Sequence, residues 1–398
     1  MPSEPGREAL ERAAAPFHTA VPAAPGEKRR VDEPDEGVAL CLSGGGYRAM
    51  LFHLGALWRL NELGWLPRLD RVSSVSGGSI TAGVLAHRWD RLRFEDGVAA
   101  DFGSEIVAPV RALAGRTIDV PAIVLGLLLP GSIGNRIASS YRRHLFGETT
   151  LQQLPARPRF VFNATSLQSG VLWRFSRPYL WDYRVGEIRH PETPLAVAVA
   201  ASSAFPPFLS PIVLQFQPSQ FVRGSGADLE SDDFRRKVVL TDGGVYDNLG
   251  LETAWKNLRT VLISDGGGHM KPQRRPHRFW PLQLLRVLGV IDNQVRSLRK
   301  RQAIDGFKAH LRTGTYWGIR SHVRDYHLRG ALNCADDATR RLADLPTRLG
   351  ALGDREQERL INWGYAICDT AMRKHVAPGA RPPNGFPYPQ RGLGPAAH

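Results

Sequence analysis

Val38-Ala39-Leu40-Cys41-Leu42-Ser43-Gly44-Gly45-Gly46-Tyr47-Arg48 runs from an unbroken apolar stretch through three glycines into a helical pattern. Five nonpolar residues ahead of a glycine turn read as a strand buried on both faces. Beyond the turn, Met50, Leu51, Leu54, Leu57 and Leu60 recur at helical spacing, and Gly64 fits the stop. Residues 71–75 repeat the theme as a second strand, followed by Ser76-Gly77-Gly78 and a helix over 77–89. Strand, glycine turn and helix, twice in succession, predict a layered α/β sheet.

Outward from this core, residues 1–35 read as a flexible arm of Ala, Pro and charge without periodicity. Residues 36–376 form the main domain. Within it, 95–157 break the rhythm and suggest a cap or lid insertion containing the apolar run 118–129. That run is far too short to span a bilayer. A strand pair is expected at 160–163 and 171–175, a small-residue helix at 194–201, and a polar loop at 215–235. Two further buried strands, 238–240 and 260–263, flank a helix over 249–257. A long helix over 281–311, a last strand at 315–319, a closing helix at 360–373 and a Pro-rich tail at 377–398 complete the reading.

With 398 residues and 42% hydrophobic content the chain can bury a large core. The three cysteines, Cys41, Cys334 and Cys368, are scattered and show no metal-ligand spacing, so reduced core residues in a cytoplasmic protein are expected. No secretory signal pattern opens the chain. Lys and Arg exceed Asp and Glu by 14. Between 271 and 312 eleven Lys or Arg stand against two Asp, an excess of nine that holds most of this imbalance. Such a segment fits an anionic partner surface.

Three segments carry chemistry. Ser76 sits on a strand-to-helix turn, where a serine hydroxyl is exposed and near a helix N-terminus. Gly77 and Gly78 supply the small neighbours this crowding needs; a structural Ser-Gly turn is the plain alternative. Ser73, Ser74 and Ser79 are rivals, the first two inside the strand and the third inside the helix. The turn of Gly44, Gly45 and Gly46 offers backbone N–H groups to an oxyanion. It lacks the Gly-Lys-Ser/Thr ending of a phosphate loop and the Gly-x-Gly-x-x-Gly of a dinucleotide site. Two Asp-Gly-Gly sequences, at Asp242 and Asp265, each follow an apolar strand and compete for the role of base. Among the twelve histidines His53 reads as a helix or core residue, and only His269 stands at a strand end.

In this order, oxyanion loop, serine, aspartate, the segments resemble those of the patatin-like phospholipases. The segment Ala200-Ala201-Ser202-Ser203-Ala204-Phe205-Pro206 resembles the family as well. The resemblance implies a three-layer α/β/α fold around a mainly parallel sheet. It implies a serine hydrolase that cleaves carboxylic esters of membrane lipids through a Ser76–Asp242 dyad and an acyl-enzyme. Gly44, Gly45 and Gly46 would hold the oxyanion. Arg48 would brace that loop or neutralise lipid phosphate, with Gly78, Gly243 and Gly244 in support and Asn248 capping the next helix. No metal or cofactor is implied. Ser74 stands where the family carries the first glycine of Gly-x-Ser-x-Gly, and Ala49 where the oxyanion segment ends in glycine. These departures keep open a catalytically silent lipid- or partner-binding protein of the same fold.

In the long helix Leu284, Leu288, Ile291, Val295 and Leu298 form one stripe, expected to pack on the core. Arg286, Arg296, Lys300, Arg301 and Lys308 fall largely opposite, as a face for anionic lipid. Nucleic acid is not favoured, since no reading motif is found. A cytoplasmic protein with peripheral membrane contact is the expectation.

Overall fold

A computed structural model describes residues 34–120, 122, 133–276 and 278–394. Ten strands make one sheet: β1 (Asp35–Leu42), β2 (Arg71–Ser74), β3 (Arg159–Ser166), β4 (Leu172–Ser176), β5 (Tyr179–Asp182), β6 (Gly186–Arg189), β7 (Ile212–Gln215), β8 (Lys237–Asp242), β9 (Leu258–Asp265) and β10 (Thr313–Gly318). The spatial order is β10-β9-β1-β2-β3-β4-β5-β6, and β8 pairs with both β3 and β7. The five strands from β10 to β3 run parallel. The remaining pairings are antiparallel.

The apolar strands are buried on two faces, as their unbroken character requires. Leu40 and Leu42 of β1 join one large core with α1 (Gly46–Glu62), α2 (Gly77–Arg88) and the closing helix Asp354–His375. Ala39 and Cys41, pointing the other way, join a second core with Val261, Ile263, Leu249 and Trp255. This is the expected α/β fold with helices on both sides. The described parts of 95–157 contribute Phe102, Ile106, Val110, Tyr141 and Phe146 to the larger core. Most of the apolar run 118–129 lies outside the described residues, as does nearly all of the 1–35 arm.

The long helix, α3 (Trp280–Lys308), departs from expectation. Leu284, Leu288, Ile291 and Leu298 do not pack on the core; all are about half exposed. The cause is visible in the sequence: Leu282, Leu285, Val287 and Val290 surround the stripe, so no single face of the first half is polar. Its C-terminal half does pack, through Ala303 and Phe307. The basic residues divide as well. Arg296 is turned inward toward Asp292, at 3.8 Å, with its side chain 16% exposed. Arg299 meets Glu252 at 3.1 Å.

The expected helix over 249–257 is reduced to one short turn, Glu252–Trp255, with another, Gly244–Asp247, ahead of it. Leu251 holds the N-cap position of Glu252–Trp255, and it is Asp247, not Asn248, whose carboxylate accepts the N–H groups of Leu249 and Glu252. A carboxylate so placed satisfies orphan donors that open a helix.

Candidate active site

Strand β3 carries neighbours of opposite direction on one edge. Its residues 159–162 pair with the parallel β2, ending Ser74 against Phe162. Its residues 164–166 pair with the antiparallel β8, ending Asp242 against Ala164. The C-terminal ends of β2 and β8 therefore run toward each other, with Asn163 between them. Ser76 lies just beyond one end and Asp242 at the other. The Asn163 Nδ2 donates to the Ser73 hydroxyl at 3.0 Å and the Ser74 carbonyl at 2.9 Å. Gly243 approaches the Asn163 carbonyl so closely that a Cβ there would stand 2.1 Å from it.

Ser76 has φ 51° and ψ −121°, outside the usual regions for a side-chain-bearing residue. Such geometry costs on the order of 1–3 kcal/mol and persists only where surroundings impose it. Here its amide donates to the Ser202 carbonyl and lies 3.1 Å from the Ser202 hydroxyl. Ser76 is 9% exposed, whereas Ser73, Ser74 and Ser79 are fully buried. The rivals are also engaged. Ser73 donates to the Gly250 carbonyl, and Ser79 joins the hydroxyls of Ser74 and Ser202. The serine at 74 is thus built into a buried hydroxyl network, which explains how it replaces a glycine here.

The two glycine turns pack backbone against backbone. A Cβ on Gly77 would lie 2.1 Å from the Gly46 carbonyl, and Gly46 itself has φ +62°. Gly44 donates to the Asn248 carbonyl and Gly78 to Ser43 and Val75, so neither N–H is available. Among the described residues the N–H groups of Gly45, Gly46 and Gly77 meet no protein acceptor. Gly77 was not among the expected donors, although the residue after a nucleophile commonly supplies one. Arg48 is buried and braces the loop: it donates to the carbonyls of Gly266, Ala343 and Leu345.

Asp242 is held by its own backbone, which donates to Ala204 and accepts from the Thr165 hydroxyl. Gly244 donates to Oδ1 at 2.7 Å. Oδ2 is buried and completes no hydrogen bond to protein. Burial pushes the carboxyl up to about 7, opposed by the Gly244 N–H and by the neighbouring Ser76 hydroxyl. The Ser76 hydroxyl thus stands beside the carboxyl and favours its ionised form. A carboxylate with a pKa near 7 is a usable general base at neutral pH.

Asp265 is different in kind. Burial alone would raise it, but Arg296, the Tyr316 hydroxyl at 2.8 Å and the Gly267 N–H outweigh that and hold it below the usual range. His53 is buried between the Ser264 hydroxyl and the Ser43 carbonyl, and burial lowers it to about 4. Among the described residues no histidine is hydrogen-bonded to Ser76 or Asp242. Ser202 and Asn163, the two residues that join the halves of the site, were not among the expected site residues. Only Ser202's small-residue segment had signalled anything.

A family model described as patatin-like phospholipase matches residues 40–255. No curated protein matches the chain. Among solved structures the chain is similar to human GIVD cytosolic phospholipase A2, at 14% identity and a TM-score of 0.48 over 92% of this chain. It spans 62% of that protein's length. It is also similar to VipD from Legionella pneumophila, at 14% identity and a TM-score of 0.33 over 86% of this chain and 67% of that one.

Proposed function

The chain belongs to the patatin-like phospholipase family, and from that premise we propose that it hydrolyses carboxylic esters of membrane lipids with Ser76 as nucleophile and Asp242 as base. The observation that carries this reading is the pairing of a strained, partly exposed serine with a buried carboxylate whose basicity is raised to near neutrality. The Ser76 hydroxyl gives its proton to Asp242 as its oxygen adds to the ester carbonyl. The free N–H groups of Gly45, Gly46 and Gly77 receive the oxyanion. Collapse expels the alcohol, which takes the proton back from Asp242, and leaves the acyl group on Ser76. Water then adds to the acyl ester and gives a proton to Asp242; collapse breaks the bond to the Ser76 oxygen, which takes that proton back, and the fatty acid leaves.

The substrate surface is met, in this reading, by the first half of α3. Phe279 is 64% and Trp280 70% exposed, and Arg274, Arg275 and Arg278 lie exposed just ahead of them. Aromatic and aliphatic side chains beside a basic run suit shallow insertion into an anionic interface. Among the described residues no helix is long and apolar enough to cross a membrane.

The test is release of fatty acid from phospholipid vesicles by the wild type and by Ser76→Ala, with a fluorophosphonate probe to identify the labelled residue. Loss of both signals in the variant supports the assignment. A variant that keeps its turnover, or labelling at Ser73, Ser74 or Ser79, overturns it.

A further inference from the structure

Beyond the dyad, the carboxyl end of the parallel sheet carries a second concavity. Strands β9 and β10 end at Asp265 and Gly318, and α3 crosses above them. Between them lies a cavity of about 120 Å³, lined by Asp265, Asn293, Arg296, Ser297, Lys300 and Arg320 among others. One water needs only roughly 10–15 Å³ of such space, so a tetrahedral anion fits.

The cations here are incompletely partnered. Arg296 and Lys300 are four residues apart and so share one helix face. The Nε of Arg296 and the Nε of Arg320 are both buried without a hydrogen bond. Arg296 makes no hydrogen bond among the described residues; Asp292 lies 3.8 Å away and the Asp265 carboxylate acts on it electrostatically. Arg320 gives its NH2 to Asp344 at 2.5 Å and to the Ala343 carbonyl, leaving Nε free. Lys300 lies over the Tyr316 ring at 4.6 Å. Asp265, the one acidic residue in the lining, accepts the Gly267 N–H at Oδ1 and the Tyr316 hydroxyl at Oδ2. The lining itself carries three cations and one carboxylate, while Asp292 and Asp344 stand behind Arg296 and Arg320 outside it, so what faces the cavity is the pair of unbonded Nε donors and the Lys300 ammonium. Buried donors without acceptors are costly, and guanidinium groups match phosphate oxygens in geometry. The crowding is felt nearby: burial first, then Arg296 and Arg320, pull the Arg48 guanidinium down to about 10.

We infer that this cavity binds a dianionic phosphate group, either free phosphate or the phosphate monoester of a lipid headgroup, held by Arg296, Lys300 and Arg320. It is separate from the proposed dyad, and none of Gly44, Gly45 and Gly46 lines it. Arg48, the brace of the oxyanion loop, donates to the carbonyl of Gly266, the residue next to Asp265. Along α3 the pocket residue Arg296 follows the exposed Ile291 by five positions, about 7.5 Å of helix rise. A headgroup in the pocket would therefore sit close to the apolar segment.

The experiment needs no turnover, so its failure is independent of the esterase reading. Inorganic phosphate is titrated calorimetrically into the full chain carrying Ser76→Ala, alone and with Lys300→Gln or Arg320→Gln. Saturable binding of one phosphate per chain is expected, weakened about tenfold or more by either substitution, the scale of one charge-assisted hydrogen bond. Arg301→Gln, an exposed neighbour on the same helix, is expected to leave the affinity unchanged. Lys300 is exposed and touches only a ring, so its variant guards against a folding artefact, and melting curves check both. Vesicles containing phosphatidate, against vesicles of equal charge made with phosphatidylglycerol, then distinguish the sources. Phosphatidate displacing bound phosphate assigns the headgroup, and no displacement assigns the free ion. Absence of saturable phosphate binding, or equal affinity in wild-type and variant pockets that melt normally, overturns the inference.

Discussion

The carbonyl oxygen of Ser202 accepts the amide proton of Ser76 at 3.1 Å. The same carbonyl accepts the N–H of Gly243 at 3.2 Å, so one peptide unit tethers both the serine turn and the aspartate turn. The Ser202 hydroxyl adds a bond to the Asn163 carbonyl at 2.7 Å and one to Ser79. The separation of the two turns is thus fixed by a residue that belongs to neither.

Ser202→Ala is accordingly expected to lower kcat by about tenfold with little change in KM, because it loosens geometry without touching substrate. The buried partners left unsatisfied should cost about 1–3 kcal/mol of stability. Steady-state kinetics on a soluble short-chain ester, beside a denaturant titration, check both. An unchanged kcat in a destabilised variant would reduce Ser202 to a purely structural residue.

The Asp242 carboxyl must be ionised to accept a proton, so kcat/KM is expected to rise with pH through about 7 and then level off. Stability should run the other way. The folded carboxyl binds its proton more tightly than the unfolded one, so the native state loses stability as pH rises from about 4 to about 7. Asp242→Asn should therefore be inactive yet melt at or above the wild-type temperature at pH 8. A pH–rate profile and melting curves at pH 5 and pH 8 test the pair of signs together.

Asp265→Asn is expected to show the opposite pattern. This carboxylate compensates Arg296 and bonds Tyr316 and Gly267. Removing a buried partner of this kind typically costs about 3–5 kcal/mol. The variant should melt early but hydrolyse a soluble ester at a near-normal rate below its transition. If it is dead with a normal melting curve, the roles of the two Asp-Gly-Gly segments are reversed.

Trp280→Glu combined with Leu284→Glu and Leu288→Glu is expected to abolish co-sedimentation with anionic vesicles. Thermal stability and hydrolysis of a soluble ester should be retained, because all three side chains are exposed. Retained vesicle binding would assign this surface to something other than lipid.

The strands with continuous apolar runs, β1, β8 and β9, were legible because burial on both faces leaves no polar position within the run to confuse the period; β2, with Val72 as its one apolar residue, was legible through the Ser-Gly turn that follows it. Strands β5 and β6 were not. They carry Asp182 and Glu187, polar residues that interrupt any apolar pattern, yet both are buried; Asp182 accepts the N–H groups of Arg184 and Val185. Ser76, Asp242 and the glycine turns stood out through local spacing alone. Asn163 and Ser202 did not, since each acts on partners far along the chain. The exposed half of α3 was misread because helical spacing shows that a stripe exists but not that anything covers it.

The head-on approach of β2 and β8 along one edge of β3 has a consequence for timing. Pairing across such separations is slow, because the intervening chain must close a long loop before any contact rewards it. Chains emerge from synthesis N-terminus first, at roughly 5–20 residues per second. The serine turn is therefore made well before the strand that delivers its aspartate, and the dyad proposed here cannot exist until β8 has docked. A nascent chain ending before residue 237 would carry the nucleophile with no base beside it. On the proposed reading, hydrolytic competence then arrives only once β8 has docked, and a shorter nascent chain would be inert toward lipid esters.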